Sequence, residues 1–490
     1  MTRSPLRDNA EKRRDSTLLT QGDPKRVIIA FALPIFLSQL FQQLYSIADA
    51  WLVSEFLGDD AFAAVSSSGN LIHLMVSFFV GASMGAGVLS FTIQSFFAGV
   101  ALYTTTLVAQ YFGAKDKKMV SVSIWQSLYF VWLIGCTVPW ISRHAGIYVL
   151  ELADHAEKIQ VMEKAYFSYM AFYMIIPLTN IVLSSFFNGR SMVWVSTISN
   201  VFGCAANVFL NYVFIFGKFG APEMGIEGAA VATIVAGLFT TFALIMFILF
   251  LPSTKEYHLF REWRFRKSSF LNLLRFGLPT GLMFGLDNAA FSAQIMFTGR
   301  ISDDALNATT VTFSIQNLIF MPILSVAAGA AIIMAQYIGM DRKDLGKKAV
   351  YQGLWLGEFM VVIIAAVIIL FTRDIFNAFC GGRHTEEVYV MTRNLLYLTM
   401  LFNFLDVVNI GLNNALRSAG DTIFPMVCSV LLSWLFFVPA LYASTEVYHL
   451  DVYAVWCIMG VLFSISAIIY WARFKSGKWQ KFQVMEKGDA

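Results

Sequence analysis

Charge is scarce in this chain of 490 residues: only 14% of them are Asp, Glu, Lys or Arg. Soluble domains average about 25%, whereas 57% of this sequence is hydrophobic. The shortage of charge excludes an ordinary soluble fold and indicates a polytopic membrane protein. The formal net charge of +3 is also too small to suggest a nucleic-acid partner.

Cysteine and histidine are few and scattered. The five cysteines form no CxxC pair and the six histidines form no motif, so the sequence supports neither a zinc site nor a disulfide framework. It also contains no HExxH motif, phosphate-binding loop or nucleophile triad. Hydrolase and ATPase chemistry are therefore unsupported, and we expect a protein that is not an enzyme and carries no organic cofactor.

Long apolar runs are abundant by contrast. About 20 apolar residues span a bilayer as a helix, and we find twelve such segments. They cover residues 28–54, 61–112, 121–142, 166–187, 192–216, 227–251, 270–298, 305–337, 349–371, 391–415, 422–443 and 452–472. The predicted fold class is an all-α membrane protein with twelve transmembrane helices.

Basic residues set the predicted orientation, because cytoplasmic loops carry an excess of Lys and Arg. If the N-terminus is cytoplasmic and each segment crosses once, 27 of the 35 lysines and arginines fall on the cytoplasmic side. The first 27 residues are polar and basic, with no cleavable apolar signal. We expect a multi-pass protein of the cell membrane with both termini in the cytoplasm.

Short motifs recur in order along the chain, which indicates two related halves. The four pairs are Ala32-Leu33-Pro34 with Gly277-Leu278-Pro279, Asp59-Asp60-Ala61 with Asp303-Asp304-Ala305, Gln110-Tyr111-Phe112-Gly113 with Gln336-Tyr337-Ile338-Gly339, and Arg190-Ser191 with Arg417-Ser418. Each half has six spans, so both begin on the same side of the membrane. Parallel repeats of this kind occur in transporters that rock around a central site.

These repeats define the predicted domains. They are a cytoplasmic tail at 1–27, an N-lobe at 28–251, a basic cytoplasmic linker at 252–269, a C-lobe at 270–472 and a cytoplasmic tail at 473–490.

The segment 61–112 is too long for one crossing, since a helix of that length would measure about 78 Å against a bilayer core of about 30 Å. The spacing of the repeats places about 18 extra residues here, and a short motif recurs within the segment, at residues 77–81 and 95–99. A full extra hairpin would move the lysines near residue 117 outside, against the charge bias. We therefore predict one net crossing with an irregular extension.

Three aspartates lie inside otherwise apolar spans, where a charge costs about 3 kcal/mol. They are Asp49, Asp287 and Asp406. Such residues usually face a bundle interior or a water-filled cavity and handle ions or protons. Asp287 and Asp406 are in the same half, and hard cations prefer oxygen ligands, so we predict that this pair binds a metal cation such as Na⁺.

Amides accompany the aspartates in the spans. Asn207 and Asn211 are one helical turn apart and share a face, which fits either cation coordination or contact between helices. Asn180, Asn288 and Gln294 are the candidate substrate-binding residues.

Together these segments resemble the MATE (multidrug and toxic compound extrusion) transporters over about residues 20 to 475. The resemblance is carried by Ala32-Leu33-Pro34 through Asp49, Val108 to Lys115, Asn207 to Tyr212, Gly277-Leu278-Pro279 through Asp287, and Asp406 through Thr422. It implies two six-helix lobes around a central cleft. It also implies export of organic cations by Na⁺- or H⁺-driven antiport.

The resemblance also assigns roles to positions. Asp49 matches a first-helix carboxylate of the N-lobe, and Asn207 with Asn211 matches a polar pair whose second member is often Asp. Asp287 and Asp406 match the C-lobe acidic pair of NorM-like members, in which Glu is usual at the first position. The chain thus lacks one acidic group in the N-lobe and has a shorter one in the C-lobe.

Two other functions remain open at this point. A flippase for lipid-linked oligosaccharides from the same superfamily would need basic residues along its spans, and this chain has almost none there. An uncoupled channel or scaffold would leave the three aspartates unexplained. For the transporter we expect small organic cations and membrane lipids as partners, no nucleic acid, and a monomer.

Overall fold

The computed structural model describes residues 27–43, 86–152, 168–169, 172–380 and 385–486. Within these ranges the chain forms twelve principal helices. They are α1 (Val27–Gln43), α2 (Ala86–Gly113), α3 (Lys117–Leu152), α4 (Ile175–Asn188), α5 (Val193–Phe216), α6 (Gly225–Phe250), α7 (Lys267–Gly299), α8 (Asp303–Gly339), α9 (Lys343–Cys380), α10 (Glu386–Ser418), α11 (Ile423–Val447) and α12 (Val452–Lys475).

Each helix overlaps one of the twelve predicted segments, so the predicted fold class is confirmed. Eight of the helices in the described ranges are long and apolar enough to cross a membrane, and α1 and α4 are shorter apolar helices. Helices α3 and α9 both exceed their predicted segments: α3 continues ten residues past its predicted end, and α9 begins six residues before its segment and ends nine residues after it. The lobe boundaries stay a prediction.

Local capping fixes where several helices begin and end. The side chains of Ser302, Thr385 and Asp451 accept hydrogen bonds from backbone N–H groups in the first turns of α8, α10 and α12. These bonds satisfy donors that the helix itself leaves unpaired. Helix α5 ends at Gly217 in the left-handed conformation, φ 62°, which glycine adopts without steric cost.

Helices from the two halves meet at the centre of the molecule. Helix α2 packs against α7 and α8. Helices α2 and α7 approach closely at Gly99 and Gly281: an added Cβ on Gly99 would lie 2.6 Å from the Cα of Gly281, and one on Gly281 would lie 2.3 Å from the carbonyl oxygen of Phe96. Helix α1 is bonded to both halves, because Asn200 of α5 donates to its Ser38 and Ser325 of α8 donates to its Gln39. Small residues let helices approach closely where lipid provides no hydrophobic drive.

The opposite faces of the helices are apolar and exposed. On α9 the large side chains Trp355, Phe359 and Leu370 are mostly exposed. Apolar helix surfaces of this size fit a hydrocarbon environment, and the protein is a multi-pass membrane protein.

The irregular extension predicted within 61–112 lies mostly outside the described residues, which resume at the start of α2. The structure nevertheless links the start of α3 to the linker between the halves. Lys117 forms an ion pair of 2.6 Å with Glu256. The start of α3 and the linker therefore lie on the same side of the membrane.

We expect a cysteine at Lys117 to resist an impermeant thiol reagent added outside intact cells, because the charge bias places this end of α3 in the cytoplasm. The control is a cysteine at Asp451, at the opposite end of the helices, which should react. Both are compared in a background in which the five native cysteines are replaced. Labelling of position 117 from outside would show an extra hairpin within 61–112.

Candidate functional site

Asp287 lies on α7, eight residues after Pro279, and receives three hydrogen bonds from α11. The hydroxyl of Ser429 donates to both carboxylate oxygens at 2.7 Å, and that of Ser433 donates to one at 3.1 Å. Hydroxyl donors stabilise the anionic carboxylate and leave acceptor sites on its oxygens. The serines therefore complete a polar site around a side chain that is one methylene shorter than Glu.

Helix α11 departs from regular α geometry at this site. A π-helical turn covers Leu432–Phe437 and includes Ser433. π-turns are rare and often occur at functional sites. This turn widens α11 immediately after Ser429, where the two serines approach Asp287.

Asp406 lies on α10 and is 3% exposed. The amide of Asn409 donates to one of its oxygens at 2.9 Å. One turn earlier on the same helix, Asn403 accepts a hydrogen bond of 2.8 Å from Gln316 of α8. Within the described residues the side-chain carbonyl oxygen of Gln316 is buried without a hydrogen-bond partner, and Gln316 is bonded to a residue three positions before Asp406.

The two carboxylates lie at similar depths. Helices α7 and α10 run antiparallel, since Asn272 near the start of α7 and Gly420 just past the end of α10 both contact Val484. The helices also touch where the amide of Asn413 points at the sulfur of Met283, 3.5 Å away. Asp287 is four residues beyond this contact and Asp406 seven, which is about 6 Å and 10 Å along the two axes in the same direction.

The donor set suits a hard cation. Carboxylate, hydroxyl and amide oxygens are the ligands that Na⁺ and similar ions prefer. In the described part of the chain no three His, Cys, Asp or Glu residues gather into a metal-binding group. Among these residues neither aspartate forms an ion pair with a basic side chain, so each charge is compensated by hydrogen bonds alone.

The predicted N-lobe pair is brought together as expected from its spacing. Asn211 donates to Asn207 at 2.6 Å, and Asn207 donates to Thr233 of α6 at 3.3 Å. Both asparagines are buried. These bonds join α5 to α6, and the choice between cation coordination and helix contact for this pair stays a prediction. Asp49, the carboxylate expected to accompany this pair, lies outside the described residues.

The three candidate substrate residues have different surroundings. Asn180 donates to the carbonyl of Gly237 and accepts from Thr241, so its amide joins α4 to α6. Among the described residues the amide of Asn288 donates only to the carbonyl of Phe284 on its own helix. Gln294 is fully buried, and neither amide atom has a hydrogen-bond partner in the described structure. Their role in substrate binding stays a prediction.

Sequence reasoning missed several polar residues of this half. The sequence did not single out Ser429 and Ser433, because buried serines commonly bond to their own helix, as Ser314 does to the carbonyl of Thr310. Glu358 was visible as an acid within an apolar span, and the structure places it half-buried on α9. In the described structure it has no bond to the Asp287 or Asp406 groups.

Comparison with known proteins identifies the family. The family model described as MatE matches residues 34–90, 87–213 and 279–442. The probable multidrug resistance protein YoeA of Bacillus subtilis is 24% identical over 474 residues, 95% of this chain and 97% of that protein. The probable multidrug resistance protein NorM of Thermotoga maritima is 24% identical over 479 residues, 94% of this chain and 95% of that protein.

Solved structures share the fold. A crystal structure of MATE in the bent conformation superposes with a TM-score of 0.79 at 19% identity, covering 95% of this chain and 98% of the other. A multidrug resistance MATE family transporter in the outward-facing conformation gives 0.79 at 18% identity with the same coverage. The twelve helices in two lobes are those of a membrane transporter. The chain belongs to the MatE family, as the sequence motifs predicted.

We expect Asn180→Ala to lower stability by about 1 kcal/mol, because it removes two bonds between helices that are each modest in membrane proteins. Thermal unfolding in detergent measures the change. Asn288→Ala is the matched control, since its amide bonds only within its own helix, and it should unfold close to wild type. Equal losses in the two variants would contradict a joining role for Asn180.

Proposed function

We propose that the protein exports organic cations by antiport, with Na⁺ or H⁺ moving inward. Its relatives are named as multidrug resistance proteins, which supports drug efflux over the other functions left open by the sequence. By this proposal the protein is a transporter without enzymatic activity, resident in the cell membrane with both termini cytoplasmic.

The observation that carries the coupling proposal is the burial of Asp406. Its carboxylate has one amide donor and no basic partner among the described residues. A buried charge without compensation costs several kcal/mol, so the group is most stable when it holds a proton or a cation. Asp287, at a similar depth on α7, provides a second carboxylate together with its two serine hydroxyls.

The coupling follows from differential affinity. A cation drives a conformational change only to the extent that it binds one state better than the other. Loading at Asp287 and Asp406 favours the state open to the outside and release of the organic cation, and substrate binding favours the return. One charge moving inward across 100 mV supplies about 2.3 kcal/mol, enough for a gradient of roughly fiftyfold.

One assay separates the candidate functions. Efflux of ethidium or norfloxacin is followed in cells with and without Na⁺ and with an uncoupler. Antiport predicts efflux that stops when the coupling gradient is removed. A flippase predicts no drug efflux, and a channel predicts equilibration that no gradient drives; either result would overturn the proposal.

We expect Asp406→Asn to abolish gradient-driven efflux in vesicles while leaving measurable substrate binding, because the amide can neither ionise nor hold a cation by charge. Glu387→Gln is the control on the same helix, since Glu387 is exposed at its first turn, and it should transport normally. Retained driven efflux in Asp406→Asn would remove this residue from the mechanism.

We expect the double variant Ser429→Ala, Ser433→Ala to need at least about tenfold more Na⁺ for half-maximal Na⁺-driven efflux, because it removes two hydroxyl oxygens from the proposed Na⁺ site. One hydrogen bond to a charged group is worth about 1.5 kcal/mol or more, and 1.4 kcal/mol is tenfold in affinity. Ser444→Ala is the control, because the hydroxyl of Ser444 donates to a carbonyl of its own helix in the described structure. An unchanged cation dependence would show that the serines have only a structural role.

A further inference from the structure

The repeated motif that ends α2 and α8 forms a contact between the two halves. An added Cβ on Gly113 would lie 2.1 Å from the carbonyl oxygen of Gln336, and one on Gly339 would lie 2.0 Å from that of Gln110. No side chain fits at such distances, so each glycine is required by the backbone of the other half. The two helix ends are therefore closed against each other.

The glutamines of the same motif also reach across. The amide of Gln110 donates to the carbonyl of Ser418 at the end of α10, at 2.8 Å. The amide of Gln336 donates to the carbonyl of Gly189 at the end of α4, at 2.7 Å. Both glutamines are at most 1% exposed. Each half thus provides one buried amide that donates to a backbone carbonyl of the other half, and the amide of Gln336 also donates to the hydroxyl of Ser191 at 3.0 Å.

The two acceptors occupy the same position in equivalent turns. Ser191 and Gly420 are both left-handed, with φ of 67° and 91°, and Gly189 and Ser418 each lie two residues before them. Backbone bonds from Met192 to Phe187 and from Asp421 to Leu416 close both turns, at 2.9 and 3.0 Å. The glutamine contacts are therefore related by the same twofold pseudosymmetry as the halves.

This alignment revises one detail of the sequence repeat. Counted from the left-handed residues, Arg417 matches Asn188 rather than Arg190. Arg190 donates to the carbonyl of Ser253 in the linker and stacks over Tyr257, and burial lowers the pKa of its guanidinium. The two turns are equivalent but their arginines are not. The symmetry applies to the backbone carbonyls of Gly189 and Ser418, which accept the glutamine bonds.

We propose that Gln110 and Gln336 are gating residues of the transport reaction. Their reciprocal hydrogen bonds hold the two halves closed at the basic side of the membrane, which is the side that carries most of the lysines and arginines and is predicted to be cytoplasmic. This inference rests on the proposed alternating access, since opening toward that side requires both bonds to break. A cavity of about 280 Å³ borders Gln110, Asp341 and Lys343. Water entering there is positioned to replace the broken bonds.

The contacts define a quantitative expectation. Each bond stabilises the closed state, and removing one makes opening more frequent by about tenfold. The two bonds share no atoms, so the double variant should increase opening by about the product of the two single effects. Because Gln336 also donates to the hydroxyl of Ser191, its single effect should be at least as large as that of Gln110.

The test uses full-length protein in inside-out vesicles, with native cysteines replaced and a reporter introduced as Ser418→Cys. Ser418 is buried beside Gln110. The rate of alkylation by an impermeant maleimide reports opening of the basic side. We expect Gln110→Leu and Gln336→Leu each to raise the rate about tenfold, and the double variant to raise it about a hundredfold.

Two further variants test whether a general loss of packing, rather than loss of these bonds, raises the alkylation rate. Gln126→Leu removes a buried glutamine whose amide bonds the linker carbonyl of Arg264, away from the contact between the halves, and should leave the rate unchanged. Gln110→Asn keeps the amide but is one methylene too short, and should react as fast as Gln110→Leu. An equal rise in Gln126→Leu, or no rise in the glutamine variants of the contact, overturns the proposal.

Efflux measured in the same vesicles separates the two proposals. If wild type shows no driven efflux but the glutamine variants open as expected, the proposed function fails while the gate stands. If efflux is driven and labelling does not respond to Gln110 and Gln336, the gate fails while the function stands.

Discussion

A carboxylate held inside hydrocarbon needs a partner, and the C-terminal half of this protein is arranged around two carboxylates that have only neutral partners in the described structure. Asp406 has one amide donor, and Asp287 has two serine hydroxyls. Neutral donors lower the cost of the charge without cancelling it. The remaining free-energy cost of burying the charge favours binding of a small exchangeable cation. A Lys or Arg fixed beside the carboxylate would leave no place for that cation.

Much of the architecture could be predicted from sequence because the bilayer constrains it so strongly. Twelve apolar segments predicted twelve helices, since every backbone polar group in lipid must bond within its own helix. Asp287 and Asp406 stood out because charge is rare in such segments. The prediction failed for residue types that are common there: a serine within an apolar helix gives no sign of whether it bonds to its own backbone or, like Ser429, to another helix.

Local departures from regular geometry were also invisible. The π-helical turn that contains Ser433 has an ordinary apolar sequence, and only its packing against α7 shows its use. The motif ending in Gly113 was recognised as a repeat, but its meaning depended on the partner. From sequence alone, a glycine that is needed because another backbone approaches it closely cannot be distinguished from a glycine that ends a helix.

The proposed cation site and the contact between the halves are joined by single rigid elements. Helix α10 carries Asp406 and also Ser418, which accepts the bond from Gln110, twelve residues or about 18 Å further along. Helix α8 carries both Gln316, beside Asn403, and Gln336. A change in how α8 and α10 pack around a bound cation therefore reaches the contact through the same two helices. Coupling of this kind requires only that the two helices adopt two discrete arrangements, each favoured by a different occupancy of the site.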